Sequence, residues 1–216
     1  MTWGQALLDL LFPVRCPGCG RMTRADAPWC RTCLAAFWHP RLIAGSRRGA
    51  LDGCYTCCQY DGALRECILQ LKYGGRRSRG RVFPQLLEAF PWWDRLSSYD
   101  LAVPVPLSAA RRAERGYNQC DEIFSDFLTR AGKEYIPDFL VRIRDTKVQS
   151  KLSREARRDN VRGAFHVNRG RSAAGRRVLL VDDVYTTGAT LGEAARELRR
   201  AGAASVMGFT AASGAV

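Results

Sequence analysis

The stretch Val178-Leu-Leu-Val-Asp182-Asp183-Val184-Tyr185-Thr186-Thr187-Gly188-Ala189-Thr190 decides how this chain of 216 residues is read. Val178 to Val181 is wholly apolar and rich in β-branched residues, the pattern of a strand buried on both faces. Two adjacent acids follow, then a Thr/Gly turn. From there Leu191, Ala194, Ala195 and Leu198 recur at helical spacing, and Gly202 supplies a C-terminal stop. The order strand, acid pair, turn, helix places the turn beyond the carboxyl end of a strand, where open parallel sheets bind ligands. Free backbone N–H groups at a helix start, with threonine hydroxyls beside them, make a phosphate cradle. Gly188 lets the backbone approach such an anion closely. Carboxylates repel a phosphate, so Asp182 and Asp183 are assigned to ribose hydroxyls or to a Mg(II) ion. No Gly-Lys-Ser/Thr follows at Walker A spacing and no G-x-G-x-x-G is present, which excludes those two phosphate loops.

Working outward, Leu101-Ala-Val-Pro104-Val105-Pro106 reads as a second strand whose end is broken by prolines. Arg111, Arg112 and Arg115 come next, then Asn118 as a candidate N-cap for a helix carrying Ile123, Phe124, Phe127 and Leu128 and ending near Gly132. Between this helix and the acid pair, Arg142 to Arg177 holds twelve Lys/Arg against three acids, with a short basic helix expected from Ser153. Leu64, Cys67, Ile68 and Leu71 form another helical core stripe.

The cysteines divide. Cys16-Pro-Gly-Cys19 and Cys30-Arg-Thr-Cys33 are two C-x2-C pairs, the spacing of a closed tetrahedral zinc site, with Gly18 and Gly20 freeing the turn. The segment around them is polar, so the metal is expected to stand in for a core. Cys54, Cys57, Cys58, Cys67 and Cys120 are read as small packed hydrophobes. Residues 2–11 suggest a short amphipathic helix with Ala6, Leu7, Leu10 and Leu11 on one face. Asp9 and the lack of a basic start argue against a signal peptide, so a cytoplasmic protein is expected. The expected division is a helix and zinc module over 1–58 and an α/β domain over 59–216.

Composition narrows the classes. With 46% hydrophobic residues the chain is too apolar for disorder, and its 20 glycines and 9 prolines exclude a coiled coil. No apolar run approaches a membrane span of about 20 residues. The net charge of +13 asks for an anionic partner, and much of it sits between Arg142 and Arg177. His39 and His166, the two histidines, have no ligand-like spacing. Trp92 and Trp93 lie side by side and are expected to make a hydrophobic contact to the zinc module, stacking on bases being the alternative.

The stretch Val178 to Thr190 resembles the 5-phosphoribosyl-1-pyrophosphate signature of type I phosphoribosyltransferases: four apolar residues, two acids and a Thr-Gly-x-Thr turn. The resemblance implies a parallel sheet flanked by helices. It places Asp182 and Asp183 on the ribose 2′- and 3′-hydroxyls, and Val184, Tyr185, Thr186, Thr187, Gly188, Ala189 and Thr190 around the 5′-phosphate. Mg(II) would enter on the pyrophosphate. Arg111, Arg112 and Arg115 would meet pyrophosphate, or form a solvated helix face. Gln149, Arg154, Arg157 and Asn160 fall where such enzymes carry a mobile loop that closes over the site. The wider layout is similar to the ComF/GntX family. Its carriers are the four-cysteine knuckle, Leu64-Arg65, Leu71-Lys72-Tyr73-Gly74-Gly75, Val103 to Leu107, Arg115-Gly-Tyr-Asn-Gln119, Gln149, Leu152, Arg157, Asn160-Val161 and Ala164-Phe165. The run Cys54 to Cys58 departs from it, where many relatives carry aromatics.

That family is linked to DNA uptake in natural transformation, and two functions stay open on this reading. One is a phosphoribosyltransferase (a pentosyl, hence glycosyl, transferase) that binds phosphoribosyl pyrophosphate with Mg and passes the ribosyl phosphate to an unidentified acceptor. The other is a nucleic-acid-associated adapter that keeps a nucleotide pocket and binds single-stranded DNA beside a competence helicase.

Overall fold

A computed structural model describes residues 13–45, 49–144 and 159–215. The expected helix over 2–11 lies outside them, as do Ser153 and the loop residues Gln149, Arg154 and Arg157. After the cysteine turns comes α1 (Arg31–Phe37), then the hairpin of β1 (Trp38–Ala44) and β2 (Gly53–Gln59). Helix α2 (Gly62–Tyr73), a 3-10 turn (Arg77–Val82), α3 (Pro84–Glu88) and α4 (Trp93–Ser97) lead to β3 (Leu101–Pro104). Next are α5 (Ala109–Arg115), α6 (Gln119–Arg130), β4 (Glu134–Tyr135), β5 (Leu140–Arg142) and β6 (Phe165–Val167). β7 (Arg177–Tyr185), α7 (Ala189–Arg200) and β8 (Ser205–Ser213) close the chain.

Among the described residues six strands form one sheet in the order β1-β2-β8-β7-β3-β4, parallel throughout except for the antiparallel β1, and β5 pairs with β6 apart from it. β1 is an edge strand, which is where its Pro40 is tolerated. The chain leaves β3 for β4 on one side of the sheet and leaves β7 for β8 on the other. A switch point between β3 and β7 results, the place where such sheets open a ligand crevice.

Alternation along β7 divides the core. Leu179 and Val181 pack with α2, α3 and α6 on one face, while Val178 and Leu180 pack with α7 on the other. All four are fully buried, as the apolar run requires. β7 extends past the acids to Tyr185, farther than an apolar run alone suggests, because its ladder with β8 continues through Asp182–Thr210, Val184–Ala212 and Tyr185–Ser213. Helix α7 buries the four residues of its stripe. It closes with Gly202 at φ +91°, whose N–H reaches Arg199 O while that of Ala203 reaches Leu198 O, each at 3.0 Å, a paired C-terminal closure.

The two tryptophans part: Trp92 meets Tyr55, on β2 within residues 1–58, and Phe90, whereas Trp93 turns to Phe127 and Phe209 of the α/β domain. The ring that joins the module to the body is Trp29. It is 2% exposed, packs edge-on against Phe37, and donates from Nε1 to Val82 O at 3.0 Å. The module therefore shares the body's core instead of lacking one. No helix of the described residues is long and apolar enough to cross a membrane.

Candidate functional site

The acid pair lies at the floor of a cleft of about 650 Å3 between the carboxyl ends of β3 and β7. Val105, Pro106 and Leu107 form one wall, and Asp182, Asp183, Val184, Thr186 and Thr190 the other. The loop after β3 is pinned by Val105 N–H to Val181 O (2.9 Å) and by Asn118 Nδ2 to Val105 O (3.0 Å). Asn118 also caps α6, its Oδ1 accepting from Cys120 N at 3.1 Å.

Both acids are buried, and each meets a partner from within the fold. Asp182 Oδ1 accepts from Asp183 N–H at 2.9 Å and from the Cys120 thiol at 3.6 Å. Asp183 forms an ion pair with Lys72, which reaches in from the last turn of α2. Burial and the neighbouring Asp183 push Asp182 up to about 8 against the opposing pull of Lys72. Burial would raise Asp183 too, but the Lys72 ammonium outweighs it and holds Asp183 below its usual range. Desolvation pulls Lys72 down; Asp183 and Asp182 more than reverse this and keep it charged. Burial, with Asp182 beside it, holds Cys120 well up as a neutral thiol.

The three arginines of α5 part company. Arg111 lines the cleft, Arg112 turns to Asp121 at 3.7 Å, and Arg115 bonds Gln119 and lies over the Tyr73 ring. The turn divides as well. Thr186 and Thr190 border the cleft, whereas Tyr185, Thr187, Gly188 and Ala189 border a second cavity of about 860 Å3. Asn160 lies in a short helical turn at 159–161 and does not line the cleft. Residues that pattern reading did not assign to the site also line the cleft: Tyr60, Arg65, Lys72, Gln119 and Arg142. In the sequence Lys72 stands at the end of the α2 stripe and within the Leu71 to Gly75 run of the family resemblance, and neither assigned it to the site.

Gly188 is fixed by its surroundings. It stands at φ +73° as the N-cap of α7, and an added Cβ would overlap the Tyr185 hydroxyl and come 2.8 Å from Cζ. Gly188→Ala is expected to destabilise the chain by about 1–3 kcal/mol, the usual cost of left-handed backbone in a non-glycine residue. Urea unfolding at unchanged slope checks this; an unaltered midpoint would show that the turn relaxes freely.

At the other end of α2, the Sγ atoms of Cys16, Cys19, Cys30 and Cys33 all lie within 4.8 Å of one another, with Cys19 and Cys30 at 3.7 Å. Four sulfurs about 2.3 Å from a zinc ion form a tetrahedron with edges of about 3.8 Å, so the cluster fits a structural zinc. A Cβ on Gly18 would sit 2.9 Å from Cys33 Sγ, so the knuckle closes only around glycine. The remaining five cysteines are buried and free, and among the described residues the Cys54–Cys58 run gathers no such cluster.

A phosphoribosyl transferase domain model matches residues 129–213, and a double zinc ribbon model matches residues 7–43. "DNA utilization protein YhgH" of Escherichia coli is 31% identical over 198 residues, covering 88% of this chain and 86% of that protein. "Competence protein ComFC" of Bacillus subtilis is 31% identical over 201 residues, covering 90% of this chain and 76% of that one. "Competence protein F" of Haemophilus influenzae is 36% identical over 198 residues, covering 88% and 80%.

Proposed function

The chain belongs to the ComF family of competence and DNA-utilisation proteins, and from that premise we propose that it binds 5-phosphoribosyl-1-pyrophosphate, or a related ribose phosphate, in service of DNA uptake. The observation that carries this reading is the composition of one cleft. An acid pair and two threonines at the carboxyl end of β7 face Arg65, Lys72, Arg111 and Arg142, four cations against two carboxylates. Acids suit the neutral hydroxyls of a ribose, and the surrounding cations suit its phosphates.

In this reading Asp182 and Asp183 hold the 2′- and 3′-hydroxyls, and the start of α7 with Thr186 and Thr190 receives the 5′-phosphate. Arg111 lies where it can meet the pyrophosphate. A Mg(II) ion carried on the pyrophosphate would neutralise the leaving group. The chain's own part is to orient C1 and stabilise charge as the bond to pyrophosphate breaks and a bond to the unidentified acceptor forms. The basic stretch from Arg142 to Arg177 supports the adapter reading beside this one, because the contact it offers a nucleic-acid backbone needs no turnover.

Titration of the full chain with phosphoribosyl pyrophosphate and Mg(II) should give saturable heat. Hydrogen bonds to charged groups are worth about 1.5–3 kcal/mol each, so Asp182→Asn/Asp183→Asn should weaken binding by about 100-fold or more. Equal heats from wild type and a folded double variant would reject the reading.

A further inference from the structure

Adjacent carboxylates at the floor of an anion-binding cleft are an electrostatic obstacle, and a divalent cation is the common remedy. Here a compensating charge is part of the fold. Lys72 is one-fifth exposed and ion-pairs an acid that is 4% exposed, a contact shielded from screening by solvent. The helix end that carries it is anchored, because the Tyr117 hydroxyl donates to Leu71 O and Gly74 N–H to Gln70 O. Tyr117 is the residue next to Asn118, the cap of α6, so the lysine and the loop after β3 are held as one unit. Asp182 has its Oδ1 occupied by a backbone N–H and a thiol. A sugar phosphate entering this cleft meets a floor in which Asp183 already has its counter-charge and Asp182 already has two donors.

We propose that Lys72 is the resident cation of the acid pair, a positioning residue that lets Asp182 and Asp183 engage a ribose 5-phosphate without a divalent ion. The inference rests on the ribose-phosphate reading above and narrows it: metal dependence belongs to the pyrophosphate and not to the sugar. Lys72 orients Asp183 by its charge and geometry and has no part in bond making.

The test is calorimetric titration of ribose 5-phosphate into the full chain. Buffer is freed of divalent ions by a resin, because a soluble chelator would attack the cysteine cluster, and is then compared with the same buffer plus MgCl2. Wild type should bind with the same affinity in both, within about twofold. Lys72→Met should lose about tenfold or more in the metal-free buffer, which corresponds to about 1.4 kcal/mol, and regain affinity with Mg(II). Lys72→Arg should keep metal independence, a rescue that a purely structural role would not predict. If wild type itself needs Mg(II) for ribose 5-phosphate, the proposal is overturned. If phosphoribosyl pyrophosphate binds with Mg(II) while ribose 5-phosphate does not bind metal-free, Lys72 fails and the parent reading survives. If neither ligand binds, both fail. Should Lys72→Met not fold, the wild-type comparison and Lys72→Arg decide.

Discussion

Trp29→Ala should lower the unfolding free energy by about 3–5 kcal/mol, the range for truncating a buried tryptophan. The indole is 2% exposed and its centroid lies 4.7 Å from that of Phe37, so the change removes packing on the module and on the body together. It also strands a polar group, since Nε1 is the donor to Val82 O. The backbone at 29 is held by a reciprocal pair, its N–H to Gln85 Oε1 at 2.8 Å and Gln85 Nε2 to its carbonyl at 3.3 Å, which depends on the ring staying seated. The segment receiving these bonds is itself tightly wedged: a Cβ on Gly80 would stand 2.6 Å from Glu122 O of α6. Chemical unfolding followed by circular dichroism measures the loss. Trp29→Phe should recover most of it and leave about 1 kcal/mol for the missing hydrogen bond. Metal content should be unchanged in both variants, because Trp29 ligates nothing. A loss under about 1 kcal/mol would mean that the module is held by something other than this ring.

What could be read from residues alone follows how local each cause is. The β7–turn–α7 unit was legible because its signals lie within one stretch: an apolar run, two acids, threonines around a glycine, then a stripe at helical spacing. The four-cysteine cluster was legible for the same reason. Lys72 was not, since a lysine at the end of an apolar stripe reads as a solvated helix end. Only the packing of α2 on the sheet brings it to Asp183. The arginines of α5 were read as a group, but a helix turns about 100° per residue, so Arg111 and Arg112 cannot face the same partner. Trp92 and Trp93 point at different rings because α4 begins between them and turns the second residue toward α6. The β1 edge was hidden by Pro40 and by a register shift between Trp38 and Arg41, both of which blur alternation.

The zinc cluster makes the other large prediction, and its chemistry separates it from the tryptophan. Four thiols this close cannot all ionise unaided. Burial pushes Cys16 up, yet the backbone N–H groups of Cys30, Cys19 and Gly18 overcome this and hold it at about 6. Burial and the neighbouring sulfurs push Cys33 up to about 12. A zinc ion takes thiolates, so binding must expel protons, and apparent affinity should fall as pH is lowered. Cys30→Ser is the informative variant. Cys30 is also the N-cap of α1, its Sγ accepting from Cys33 N at 3.5 Å, and serine is a competent cap. The substitution therefore removes a ligand while keeping the start of the helix, and any unfolding reports the metal. Bound zinc should drop from about one per chain to none. Amide exchange across residues 14–37 should quicken by about 100-fold or more, since structural zinc contributes about 10 kcal/mol or more to isolated zinc fingers. β7 and β8 should stay protected, because their ladder and the cores on both faces draw on residues far from the knuckle. Zinc retained at one per chain would move the site to other residues, and unchanged exchange over 14–37 would mean that Trp29 alone holds the module together.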